Sequence, residues 1–112
     1  MTSYIGDDEM RAGMTTTKAY TAVILHAGPN FGTPEAQPII WEHGRRNFGL
    51  RADGLLSIVC PVRDDSDVCG IGIFDLDLDA TVAVMADDPG VAAGIFTFTA
   101  HAVRSFPGDR LP

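Results

Sequence analysis

Residues 77–104, DLDATVAVMADDPGVAAGIFTFTAHAVR, constrain the fold more than any other part of the chain. Asp77 is a good helix N-cap, because its short carboxylate can accept from the free N–H groups of a first turn. Leu78, Val82 and Met85 then recur at i, i+4 and i+7, which predicts a helix over 78–86 with that stripe facing inward. Pro89 ends it, since its ring pushes Asp88 out of the α region. A glycine-containing loop follows, then a strand over 95–104. The break sets two carboxylates where a helix gives way to a buried strand. Asp87 falls on the solvated side, which leaves Asp88 as the candidate for chemistry. An Asp before Pro also has a purely structural use, closing a helix through a local turn.

The preceding elements fit around this block. Residues 16–25, TTKAYTAVIL, alternate as a strand does, with Tyr20, Ala22 and Ile24 on one side and Ala19, Thr21, Val23 and Leu25 on the other. Neither side is polar, so both faces are expected to be covered. Residues 26–37, HAGPNFGTPEAQ, make a long loop, the kind that often walls a pocket, and His26 stands at its start. A helix is predicted over 38–51, opened by Pro38 and closed before Gly54. Ile39, Ile40, Trp41, Phe48 and Leu50 form its broad apolar side, with Glu42, Arg45 and Arg46 opposite. His43 and Asn47 violate the pattern by falling inside the apolar sector. Strands over 55–62 and 70–74 flank a polar turn at 63–67. Symmetric pairing about that turn sets Cys60 opposite Cys69, with both thiols expected free in a reducing compartment.

The order β-α-β-β-α-β predicts an α+β, ferredoxin-like fold: a four-stranded antiparallel sheet with two helices on one face. One domain is expected over 16–112. Residues 1–15 show no period and read as a flexible, solvated tail, with Met14 a second candidate start. The sheet face away from the helices is apolar, and a second copy packed sheet to sheet is the simplest cover. The apolar share of 46% exceeds what one small core needs and also points to a homodimer.

Charge narrows the partners. The net charge is −7 and no basic run exists, which argues against nucleic acid and anionic membranes. The apolar runs are too short to span a bilayer, and no signal-peptide pattern opens the chain, so a cytoplasmic protein is expected. No His/Cys cluster has metal-ligand spacing, and nothing in the pattern calls for a metal or a cofactor.

The candidate chemistry rests on His43. An imidazole titrates near neutrality and is the usual general acid/base. A carboxylate on its other nitrogen fixes the tautomer, and Asp88 is the candidate partner. A buried histidine satisfied by a backbone carbonyl is the competing reading. His26 and Asn47 are expected to contact a small organic substrate. His101 lies with Thr97, Thr99 and Val103 on the less apolar side of the last strand and is a weaker candidate.

Over residues 19–104 the chain resembles the YCII-related family of dimeric α/β-barrel proteins. The most specific block is ADDPGVAAGIF, residues 86–96, similar to the family's Asp-Pro-x-Val-x-Ala-Gly-x-Phe pattern. His43 on the first helix and the strand–turn–strand of 55–74 add to it. The chain departs from the family at Cys60-Pro61, where Gly-Pro is usual, so the resemblance implies that Cys60 and Pro61 line the pocket. It also implies a homodimer and a pocket histidine and aspartate, matched by His43 and Asp88. The reactions implied are cofactor-free: elimination or isomerisation by proton transfer first, as in a relative that removes HCl from a chlorinated aromatic. A non-catalytic small-molecule binding module and a cofactor-free oxygenase are the alternatives.

Overall fold

A computed structural model describes Thr2–Pro112 as an α+β structure. Its elements are α1 (Asp7–Met14), β1 (Lys18–Ala27), α2 (Ala36–Ala52), β2 (Leu56–Pro61), β3 (Val68–Phe74), α3 (Leu78–Ala86), α4 (Pro89–Ala92) and β4 (Phe96–Ser105). The four strands form one sheet in the order β2-β3-β1-β4, and every neighbouring pair is antiparallel. Among the described residues no helix is long and apolar enough to cross a membrane.

The alternation read from β1 sets the two faces of the sheet. Thr21, Val23 and Leu25 are buried and pack with Leu56, Phe74 and Phe96 beneath Ala36 of α2 and Met85 of α3. The other face presents Tyr20, Ala22 and Ile24, flanked across the ladder by Ile71 and Ile73 of β3 and by Thr99, His101 and Val103 of β4. These side chains are half-buried or exposed. Thr21 is the polar member of the inner face, and its hydroxyl donates to the Leu76 carbonyl at 2.9 Å, so its burial leaves no unsatisfied group.

Helix ends follow local chemistry. α2 closes in a Schellman motif: Gly54 adopts φ +78°, Leu55 N–H donates to Leu50 O, and Gly54 N–H donates to Arg51 O. Pro38 lies within the first turn rather than at its first position, where its missing N–H still costs nothing. Asp77 caps α3 by accepting from Ala80 N–H at 2.8 Å.

Several expectations are corrected. The stretch expected as a structureless tail carries α1, none of whose residues is buried. The loop expected after Pro89 is instead the short helix α4, closed by Gly94 at φ +72° in a second Schellman motif. In α3 the buried positions are Thr81 and Met85, while Leu78 and Val82 are exposed. Thr81 tolerates burial because its hydroxyl donates to Asp77 O at 2.8 Å. Trp41 and Phe48 of α2 are 70% and 69% exposed. The helix turns Ala36, Ile39, Ile40, His43, Asn47 and Leu50 inward instead, a spacing of three and four residues. Arg46 also turns toward the protein, donating from Nη2 to Val84 O at 2.7 Å.

The β2–β3 register differs from the symmetric pairing. Cys60 opposes Ile71, and Cys69 O accepts from Val62 N–H. The pairing runs in one register from Pro61↔Gly70 to Ile58↔Ile73, two residues off the symmetric one, and shifts by one residue only at Leu56. The connecting turn is an Asx turn. In that turn Asp64 Oδ1 accepts from Ser66 N–H at 3.0 Å. Both thiols are free.

Candidate active site

α2 lies across β2 and β3, and the space beneath it is not filled. A cavity of about 480 Å³ opens there, within the range of about 300–1,000 Å³ usual for small-molecule sites. Its walls are Val23, Leu25, Leu56, Val59, Phe74, Met85 and Phe96, and α2 contributes Ile40, His43, Gly44, Asn47, Phe48 and Arg51. The floor is made by absence. Gly70 and Gly72 of β3 line it and pair with Leu25 and Val23 on the helix-covered face. A Cβ on Gly72 would stand 3.2 Å from Leu56 Cδ1, and one on Gly70 would stand 3.6 Å from Cys60 O. Any larger side chain at these positions would project into the cavity. A Gly-x-Gly inside a strand is the sequence signal for such a close approach.

His43 and Asp88 meet at the α4 end of this cavity. His43 Nδ1 lies 2.8 Å from Asp88 Oδ1. The imidazole is 13% exposed and the carboxylate 1%. Asp88 is the N-cap of α4, and its second oxygen accepts from Gly90 N–H at 2.9 Å and Val91 N–H at 3.2 Å. The structural and the chemical uses of an aspartate before proline therefore coexist in one side chain, one per oxygen. Burial works to raise the Asp88 pKa, but the hydrogen bond and charge of His43, with the two backbone donors, outweigh it and hold the carboxyl below its ordinary value.

A carboxylate offers only acceptors, so His43 Nδ1 carries the proton and donates it. That leaves the Nε2 lone pair as the basic site. Asn47 Nδ2 lies 3.3 Å from Nε2 and donates to it. The ring rests against Phe96, with centroids 4.8 Å apart. Phe96 in turn fits only because residue 90 is glycine: a Cβ there would lie 2.5 Å from the Phe96 ring. Arg46 Nη1 lies 3.7 Å from Asp88 Oδ1, so a guanidinium adds to the field around the carboxylate.

The other candidates separate. Asn47, Cys60 and Pro61 border the cavity, though Cys60 is exposed and pairs with Ile71. His26 does not line it. That ring sits at the end of β1, with Nδ1 3.5 Å from Asp67 Oδ2. His101 stands on the outer face beside Thr99. The 26–37 loop is not a pocket wall either. Gly28 N–H and Asn30 N–H donate to Ile95 O and Gly94 O, and Asn30 Nδ2 donates to Ala93 O, which straps the loop to the α4–β4 junction. Among the described residues no group of three or more His, Cys, Asp or Glu side chains could hold a metal ion. No protein-family model and no curated protein matches this chain.

Proposed function

We propose that the protein is a small cofactor-free enzyme that moves a proton on a small organic substrate, by elimination or isomerisation, with His43 as acid/base and Asp88 as its orienting carboxylate. The observation that carries this reading is the 2.8 Å contact between His43 Nδ1 and Asp88 Oδ1 beside a largely apolar cavity that His43 itself lines. Nε2 takes a proton from an acidic C–H or O–H of the substrate. Asp88 stabilises the imidazolium that forms. In an isomerisation the same nitrogen returns the proton to another carbon. In an elimination the bond to the leaving group breaks as the double bond forms, and the imidazolium gives its proton to the departing group or to water. An apolar, partly closed site strengthens each of these electrostatic effects.

We further read the strand order as the split βαβ arrangement of the YCII-related dimeric barrels, with a second copy covering the outer sheet face. The apolar row of Ala22, Ile24, Ile71 and Ile73 supports this, as does the 44% exposure of Ile71.

Deuterium exchange tests the chemistry without requiring a complete reaction. Candidate ligands with an acidic C–H are incubated with protein in D₂O and followed by proton NMR. The wild type should accelerate exchange for at least one cavity ligand, and His43→Asn should lower that rate by about a hundredfold or more. Equal rates would remove His43 from the reaction. One observation favours a second reading, a binding module without turnover: the Asn47 amide already engages Nε2. That module would bind ligand and exchange no proton.

A further inference from the structure

We infer that the cavity takes an apolar carboxylate, a one- or two-ring organic acid whose carboxylate is held by Arg51. This inference rests on the cavity reading above and names its substrate class. His43, Asn47 and Arg51 stand at i, i+4 and i+8 on α2 and all three line the cavity. A helix rises about 6 Å per four residues, so the three form a polar row along one wall, opposite apolar side chains. Asp88 sits behind His43 and outside the lining, and among the described residues no carboxylate lines the cavity. Arg51 brings its one permanent charge, in a chain whose net charge is −7.

Among the described residues the Arg51 guanidinium makes no ion pair. It is exposed at the edge of the cavity and lies over the exposed Phe48 ring, 5.2 Å from the centroid, a contact that favours this placement of the cation. A guanidinium fork matches a carboxylate in two parallel hydrogen bonds. An organic cation would meet Arg51 with no counter-ion, and a wholly apolar molecule would leave it unused. An acid bound this way lays its ring along the apolar wall and brings its far carbons to His43 Nε2.

The test compares benzoate, phenylacetate and 1-naphthylacetate with their uncharged amides, by calorimetry or NMR titration. Wild-type protein should bind at least one acid about tenfold or more tightly than its amide, the worth of one charged hydrogen bond. Arg51→Gln should remove that preference and leave amide affinity unchanged. Arg51→Lys should restore part of it. Equal affinity for acid and amide, a preference that survives Arg51→Gln, or no binding by any member of the panel would overturn the inference. His43→Asn keeps the acid preference if Arg51 is the anchor. Loss of preference with exchange still dependent on His43 therefore refutes only the substrate class. Retained preference with exchange independent of His43 refutes only the acid/base reading.

Discussion

Asp88 holds His43 at 2.8 Å with one carboxylate oxygen while the other caps α4 through Gly90 and Val91. The side chain that starts a helix also fixes the tautomer of the candidate base. Aim and rigidity come from the same residue, because the cap locks the carboxylate before any substrate arrives.

This arrangement predicts a pH signature. The Asp88 carboxyl is held below its ordinary value of 3.8 in the folded protein. A depressed folded value means that the unfolded chain binds the proton first as pH falls. The stabilisation is therefore present in full above about pH 4 and is lost as pH drops through the folded value. Urea unfolding of Asp88→Asn should lack this component and fall less steeply than wild type below pH 4. Identical slopes would mean that the carboxylate gains nothing from its partners.

Gly90→Ala should destabilise the protein by about 1–3 kcal/mol, the usual cost of overpacking. The added methyl would meet the Phe96 ring at 2.5 Å and Asp88 Oδ2 at 3.1 Å. Both neighbours touch His43, so the His43 ring resonances should shift as well. Denaturant titration and NMR check the two effects, and an unchanged ring environment would separate Gly90 from the site.

Gly70→Leu should fill the cavity and leave the fold intact. A Cβ there makes only ordinary contacts, 3.6 Å from Cys60 O and 3.8 Å from Leu25 Cβ. The expected stability change stays within about 1 kcal/mol. Affinity for any cavity ligand should fall about tenfold or more, which is about 1.4 kcal/mol. Undiminished binding would place the ligand elsewhere.

The outer sheet face predicts a homodimer. Light scattering should give twice the 11.9 kDa chain mass, and Ile24→Lys, in the middle of that face, should return the protein to one chain. A wild-type mass of one chain at micromolar concentration would contradict it.

Which of these features the sequence revealed follows from their range. Caps and breaks are local, so Asp77 as a cap and the stop at Pro89 are readable, whereas the meeting of Asp88 with His43, 45 residues away, is suggested by the family resemblance and not by local pattern. His43 stood out because a polar residue on an apolar helix side needs a partner. Long-range registers were not readable. The pairing of Cys60 with Ile71 is set at the turn between the strands, whose geometry no alternation signals. His26 lies on the outward side of β1 with Tyr20, Ala22 and Ile24, so strand parity outweighed the loop that follows it. The exposure of Trp41 and Phe48 reflects how far α2 rolls over the sheet, which hydrophobicity alone does not set. The cavity itself is made by two glycines, and a missing side chain leaves only a weak trace in composition.

The most direct test of the central claim is the tautomer of His43, read from long-range proton–nitrogen NMR correlations at a pH where the ring is neutral. Wild-type His43 should be protonated on Nδ1 alone, with Nε2 unprotonated beside the Asn47 amide, and Asp88→Asn should relax it toward a mixture of tautomers. A wild-type ring carrying its proton on Nε2 would contradict the account, because the nitrogen facing the cavity could then accept nothing from a substrate.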